Sequence, residues 1–284
     1  MKTPKNRYAK SSKLSERRFR ALVRLVAADL TASQIAQVTG LNRNTVNRYL
    51  AAIRLRMAEW CAAQAPLFGV VEADESYFGP RRVKGVGGRG AGRKTIVFGI
   101  FERGGQVWCE IVPDVTRPTL QGLIRGKVAL ESVVNTDGWR SYNGLVELGY
   151  GHKRVDHGRD EFARGDTHIN GIESFWAYAK TRLTRFRGLP RATFHLHLKE
   201  CEFRFNNRHV DIGRMILKIC REKTPVLVKT LHQNEAGGRC AVDTWWRRER
   251  MGCLRTVPLR SLRSPRGRRR GRVPAEAPHP PACH

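Results

Sequence analysis

Three carboxylates are the side chains of this sequence whose types and spacing favour catalysis. Asp74 lies near the middle of a predicted strand, Asp137 follows a later strand, and Glu173 lies inside a predicted helix. A carboxylate among apolar residues is costly unless it is paired or binds a cation. Two strands and a later helix can bring all three to one end of a sheet. A pair of Mg²⁺ (or Mn²⁺) ions bound there would activate a water or a 3′-hydroxyl for in-line attack at phosphorus.

Lys180 follows Glu173 by seven residues, which puts both on one face of a helix, two turns apart. A flexible point charge at this position suits a DNA phosphate next to the metal ions. On the first strand, alternation puts Glu72 and Asp74 on one face and Glu75 on the other. A single glutamate inside an amphipathic helix is usually solvent-facing, so the prediction for Glu173 rests on the whole set.

The charge balance indicates a polyanionic partner. Lysine and arginine total 53 against 25 aspartate and glutamate, a net charge of +28 at pH 7, which favours nucleic acid. A hydrophobic content of 40% is too high for a disordered basic protein. The seven cysteines form no C-x-x-C and indicate neither a disulfide framework nor a zinc ribbon. No apolar run reaches the roughly 18 residues of a membrane span, so we expect a cytoplasmic, nucleoid-associated protein without a membrane partner.

The first 60 residues carry 13 lysines and arginines against three acidic residues. Their pattern predicts a helix over 14–30, a short helix over 32–38 that Thr31 caps and Gly40 closes, and a helix from Asn42 or Asn44 to about Trp60. This order predicts a helix-turn-helix module over residues 1–62. A plain three-helix bundle with a solvated basic face is the alternative. The residues expected to contact DNA from the third helix are Arg43, Asn44, Asn47 and Arg48.

Alternating hydrophobicity begins at Leu67 and predicts an α/β domain over residues 67–222. The predicted strands are 68–78, 95–101, 106–112, 132–135 and 152–155, and the predicted helices are 118–127, 139–148, 169–187 and 192–207. The order is typical of a ribonuclease-H-like mixed sheet with helices on both faces. Trp139 and Trp176 are expected in the core rather than as base-stacking platforms.

A glycine-rich stretch separates the first two predicted strands. It matches G-x-G-x-x-G, but a strand follows it where a dinucleotide-binding motif requires a helix. A flexible basic hairpin that reaches towards DNA is the better interpretation. Its predicted DNA contacts are Arg89, Arg93 and Lys94.

Residues 223–284 form an arginine- and proline-rich tail, with eleven arginines and one acid between Arg247 and Arg272. Its prolines preclude a long helix. One interpretation is a disordered arm that binds phosphates nonspecifically. The other interpretation is that this segment is translated from DNA beyond the normal stop codon, by readthrough or after a frameshift, because GC-rich DNA read out of frame encodes such compositions.

Several blocks between residues 68 and 208 resemble bacterial insertion-sequence transposases of the ISXO-type, DDE class. They are D-E-S-Y-F-G, G-V-G-G-R-G-A-G-R-K, T-D-G-W-x-x-Y, E-F-A-R-G-x-x-H-x-N-G-I-E-S-F-W-x-x-x-K and H-L-K-E-C-E-F-R-F-N. The resemblance implies catalytic roles for Asp74, Asp137, Glu173 and Lys180. Some relatives use asparagine as the third catalytic residue, which makes Asn170 the alternative. Glu173 is the stronger ligand because it is anionic.

The resemblance also implies an activity and partners. A DDE transposase binds the terminal inverted repeats of its element, cleaves their 3′ ends and joins them to target DNA. Pairing two ends implies a homodimer or a higher oligomer. Many relatives carry an N-terminal zinc ribbon that this sequence lacks, so its helix-turn-helix would recognise the ends. The alternatives are a catalytically inactive DNA-binding repressor and a structure-selective nuclease on the same fold.

Overall fold

The structure is a computed structural model that describes residues 6–64, 66–79, 94–155 and 168–227 of the chain. The predicted DNA contacts Arg89 and Arg93 lie outside the described residues, as does most of the predicted tail.

Three helices form the N-terminal part where the pattern predicts them. They are α1 (Glu16–Ala27), α2 (Ala32–Thr39) and α3 (Arg43–Ala62). Thr31 and Gln34 form a reciprocal capping box at the start of α2, and Asn42 caps α3. Gly40 closes α2 with a left-handed φ of 67°, which a glycine adopts without steric cost.

A five-stranded mixed sheet follows. Its strands are β1 (Val70–Phe78), β2 (Thr95–Glu102), β3 (Val107–Val112), β4 (Val133–Asp137) and β5 (Gly151–Val155). The spatial order is β3-β2-β1-β4-β5, in which β1 to β3 are antiparallel neighbours and β4 and β5 run parallel to β1. Four more helices are α4 (Arg117–Lys127), α5 (Asn170–Thr184), α6 (Arg191–Asn206) and α7 (Ile212–Glu222).

Each face of the sheet packs against its own helices. On one face, Val71 and Ala73 of β1 join a core with α4. On the other, Phe78 of β1 and Val97 of β2 pack against α5 and α6. The predicted ribonuclease-H-like fold, a mixed sheet with helices on both faces, is thereby confirmed by the strand order and the two cores.

One predicted helix is absent, and one observed helix was not predicted. The predicted helix over 139–148 is a pair of short 3₁₀ turns, Arg140–Tyr142 and Val146–Leu148, because Gly144 and Gly149 adopt positive φ and break the chain. Sequence reasoning also missed α7. This helix packs its apolar side, including Ile216 and Ile219, into the core of α1 to α3 rather than onto the sheet.

Buried ion pairs join the N-terminal helices to the sheet layer. Asp29, between α1 and α2, binds Nη2 of Arg182 on α5 at 2.6 Å, and the same nitrogen lies 2.6 Å from Glu200 on α6. Glu200 also binds Arg54 of α3 at 2.7 Å and Arg204 at 3.0 Å. Burial alone would raise the pKa of Glu200, but these three arginines lower it well below its ordinary value. The C-terminal half of α5 is therefore held against the N-terminal helices.

Close contact between α5 and the sheet requires glycine at Gly99 of β2. A Cβ at this position would lie 2.6 Å from the ring of Trp176, and on α5 a Cβ at Gly171 would lie 2.2 Å from Phe101. Since neither ring can retreat in a filled core, larger residues must push the helix away.

We expect Gly99→Ala to lower the free energy of unfolding by about 1–3 kcal/mol through overpacking. Urea titration followed by circular dichroism measures this change. The matched control is Gly122→Ala in α4, where an added Cβ meets no atom within 4 Å and helix propensity favours alanine by up to about 1 kcal/mol. Equal stability of Gly99→Ala and the parent protein would contradict the packing account.

Candidate active site

Asp74 lies on the central strand of the sheet, on the face that α5 covers. Its Oδ2 accepts a hydrogen bond from Nε1 of the buried Trp176 at 3.0 Å. Because Trp176 is packed on all sides, this bond fixes the orientation of the carboxylate. Trp176 was expected in the core, and the structure confirms that it is buried.

Asp137 is the last residue of β4 and lies beside Asp74. The parallel register pairs Ala73 with Thr136, so the two aspartates follow at the same level of adjacent strands. One oxygen of Asp137 accepts the backbone N–H of Trp139 at 3.1 Å, which stabilises the turn after the strand.

Glu75 completes a group that the sequence did not predict. Asp74, Glu75 and Asp137 each offer a carboxylate oxygen, and these three oxygens lie within 4.8 Å of one another. Tyr142 donates a hydrogen bond to Oε1 of Glu75 at 2.6 Å. As the alternation predicts, Glu75 lies on the opposite face of β1 from Asp74. Strand β4 ends at Asp137, however, so at this level it does not separate the two faces of the sheet. The sequence signal that could have identified Glu75 is that it follows Asp74 directly in the same strand.

Glu72 positions α5. Its buried side chain accepts hydrogen bonds from the N–H groups of Gly171 (2.8 Å) and Ile172 (3.0 Å), the unpaired donors at the start of the helix. Nε of Arg103 lies 2.9 Å from the other oxygen of Glu72, and Nη2 of Arg103 donates to the carbonyl of His168 at 2.8 Å. The residue that precedes α5, Ile169, has no side chain that can cap the helix, so Glu72 of β1 caps it instead.

Glu173 and Lys180 lie along α5 on either side of Trp176, and both are exposed. The charge of Glu173 contributes to the raised pKa of Asp74, so the two carboxylates are electrostatic neighbours. Nζ of Lys180 lies 5.9 Å from the ring centroid of Phe78, near the end of β1. Asn170, the alternative third ligand, is the exposed first residue of α5. The choice between Glu173 and Asn170 stays a prediction.

Burial and mutual repulsion act on the carboxylate group. Burial raises the pKa of Asp74 to about 6, and the nearby Asp137 and Glu173 add to the rise. Burial likewise raises the pKa of Glu75 to about 7, with Asp74 and Asp137 adding to it against the hydrogen bond from Tyr142. Oxygen ligands at this spacing, destabilised by mutual repulsion, fit a divalent cation of the Mg²⁺ or Mn²⁺ type.

The predicted DNA contacts on α3 are all exposed. They lie on its first two turns and are Arg43, Asn44, Asn47 and Arg48. Lys94, the one predicted hairpin contact among the described residues, is exposed immediately before β2. Their role in binding DNA stays a prediction. No helix within the described ranges is both long and apolar enough to cross a membrane.

Comparison with known proteins decides the family. The model of the ISXO2-like transposase domain matches residues 66–206. An "uncharacterized transposase-like protein" of Haemophilus influenzae is 43% identical over 113 residues, which cover 40% of this chain and 91% of that relative. The chain belongs to the ISXO2-like transposase family. The resemblance predicted from the motifs is therefore confirmed, and the family implies use of a divalent metal.

A second relative in this comparison is an uncharacterized protein in transposable element ISH50 of Halobacterium salinarum. It is 29% identical over 159 residues, covering 50% of this chain and 54% of that protein. Among solved structures, a Mos1 transposase paired-end complex is 14% identical with a TM-score of 0.28, covering 75% of this chain and 78% of that one. A simian T-cell lymphotropic virus intasome gives 13% identity and a TM-score of 0.33, with 50% and 49% covered. At these TM-scores, neither solved structure supports a conclusion about this member of the transposase family.

We expect Asp74→Asn and Asp137→Asn to weaken Mg²⁺ binding by at least about 10-fold, and Glu75→Gln to weaken it by a smaller factor, because each removes one anionic oxygen from the group. Isothermal titration with MgCl₂ measures these affinities. The control is Glu147→Gln, whose carboxylate is 80% exposed and lies outside the group. Unchanged affinity in both aspartate variants would contradict a metal site here.

The raised pKa values of Asp74 and Glu75 predict a pH dependence. Without metal, the charged forms are unfavourable in the folded state, so these two groups lower the free energy of unfolding as pH rises from about 4 through about 7. Since Mg²⁺ must displace their protons, the increase in melting temperature caused by Mg²⁺ should be larger at about pH 8 than at about pH 5.5. Differential scanning calorimetry tests this, and the double variant Asp74→Asn, Glu75→Gln should lose the dependence. A Mg²⁺ effect that grows on acidification would contradict it.

Proposed function

We propose that this chain is the transposase of an insertion sequence, which binds the terminal inverted repeats of its element, cleaves the DNA at their 3′ ends and joins the freed ends to target DNA. The observation that carries the proposal is the group of carboxylates formed by Asp74 and Glu75 in the middle of β1 and Asp137 at the carboxyl end of β4. It lies within the part of the chain that matches the transposase domain.

The proposed catalytic residues are Asp74, Asp137, Glu173 and Lys180. Asp74 and Asp137 would hold two divalent ions, Mg²⁺ or Mn²⁺, with Glu173 as third ligand, Asn170 as its alternative, and Glu75 adjoining. Ions bound there supply Lewis-acid stabilisation of the phosphorus centre and an activated hydroxyl. Lys180, on the exposed side of α5, would bind a DNA phosphate next to them. Trp176 and Glu72 hold the strand and the helix in position, through the contacts described above.

The remaining predicted DNA contacts would serve recognition. Exposed arginine and asparagine side chains on the first turns of α3 suit the base edges of a major groove. The predicted basic hairpin that ends at Lys94 would bind the DNA backbone near Asp74, Glu75 and Asp137. Handling two DNA ends together requires a homodimer or a higher oligomer, acting on the nucleoid in the cytoplasm.

The decisive experiment uses a labelled duplex that carries the inverted repeat found in the DNA flanking the gene. With Mg²⁺, the protein should nick this duplex at one defined end and transfer the 3′ end to a second duplex. Asp74→Asn should lower the nicking rate by at least about 100-fold without weakening binding. Asn47→Ala should weaken binding by roughly 10- to 100-fold. Glu147→Gln should change neither.

The same assay separates the other possible functions. Specific binding without nicking would overturn the proposal in favour of a repressor. Cleavage of branched or hybrid duplexes regardless of end sequence would overturn it in favour of a structure-selective nuclease. A pair of variants decides the third ligand: Glu173→Gln should abolish nicking and Asn170→Ala should spare it, and the reverse would assign the role to Asn170.

A further inference from the structure

Two large aromatic side chains are exposed close in the chain to the carboxylates Asp74, Glu75 and Asp137. Trp139 is 42% exposed and Tyr77 is 39% exposed. The expectation that Trp139 belongs to the core is therefore wrong, because the turn after β4 turns its side chain out of the packed layer. Exposed aromatic rings beside a polar site are typical of a surface that binds another molecule.

Tyr77 lies on the same face of β1 as Glu75. Val71 and Ala73 of β1 pack in the core beneath α4, so the alternation of the strand puts Glu75 and Tyr77 on that same face. Trp139 precedes the 3₁₀ turn Arg140–Tyr142, which packs against α4.

Chain connectivity keeps each ring near a carboxylate. Tyr77 is two residues from Glu75, and the backbone N–H of Trp139 is bonded to Asp137. The hydrogen bond from Tyr142 to Glu75 fixes the turn against β1.

The opposite side of the carboxylates presents a cation. Lys180 projects from α5 near Phe78, which faces the other core of the sheet. A DNA strand that crosses this part of the sheet would meet Lys180 on one side, the carboxylates in the middle and Tyr77 on the other side, with Trp139 two residues beyond Asp137. Arg140, exposed next to Trp139, adds a second positive charge there. Alternating cations and aromatic rings are how proteins bind strands whose bases are unstacked.

We propose that Trp139 and Tyr77 form a stacking site for a nucleobase of the DNA end that is unpaired beside the cleaved phosphate. The inference rests on the proposed function and adds that the DNA end is unpaired beside the cleaved phosphate. The carboxylates are half-buried, so a phosphate that reaches them must leave the regular path of the duplex and its base must unstack. Stacking on exposed rings offsets the cost of opening the pair.

The test compares two labelled terminal-repeat duplexes, one fully paired and one with a two-base mismatch at the cleaved position. Trp139→Ala should slow nicking of the paired duplex by roughly 10-fold or more and nicking of the mismatched duplex much less, because the mismatch already supplies the unpaired base. Trp139→Phe should retain most of the rate on both. Tyr77→Ala should show the same pattern as Trp139→Ala.

The control is Leu130→Ala, which removes an apolar side chain that is 66% exposed before the start of β4, at the opposite end of that strand from Asp137. It should nick both duplexes at the parent rate. Equal slowing of Trp139→Ala on paired and mismatched duplexes, or no slowing on either, would overturn the stacking site while leaving the proposed function intact. Failure of the parent protein to nick either duplex would overturn the proposed function, and the stacking site with it.

Discussion

The contact between Glu72 and the first turn of α5 is the interaction on which the rest of the site depends. A buried carboxylate is costly unless its charge is compensated, and here the compensation comes from two helix N–H groups and Arg103. The same bonds place α5 across β1, so that Trp176 reaches Asp74. Glu173 and Lys180 then take their positions from helix geometry. Gly99 and Gly171 permit this because any side chain there would collide with the rings beneath.

The other end of α5 depends on a different part of the chain. Arg182 is bonded both to Asp29, in the connection between α1 and α2, and to Glu200 of α6. Phe203 of α6 belongs to the core of the N-terminal helices, although the helix also covers the sheet. The helix that carries Glu173 is therefore held by the sheet at its start and by the N-terminal helices towards its end. In this arrangement, the predicted recognition helix α3 and the carboxylate group belong to one packed body.

The net charge of the protein and the charge of its carboxylate group have opposite signs. The chain carries +28 overall, yet one edge of it concentrates carboxylates, two of which, Asp74 and Glu75, have pKa values raised to about 6 and about 7 by burial and mutual repulsion. A polyanion is attracted to the basic surface but repelled by this edge unless cations intervene. Aromatic rings and Lys180 beside the carboxylates provide contacts that do not depend on those cations.

The sequence by itself predicted the strands, most of the helices and the two aspartates, Asp74 and Asp137, that the structure brings together. Alternation and capping signals are local, so they predicted the five strands, the cap at Thr31 and the ribonuclease-H-like order, and they narrowed the start of α3 to Asn42 or Asn44. Tertiary structure decided what depends on neighbours distant in the chain. The end of β4 brings Glu75 to the other two carboxylates although it lies on the opposite face of the strand. The turn after β4 exposes Trp139, and Gly144 and Gly149 break the predicted helix into two 3₁₀ turns. The burial of Glu72 follows from the docking of α5, some hundred residues later in the chain. Local patterns record what a residue prefers, whereas these outcomes depend on which strand ends first and which helix comes close enough to touch.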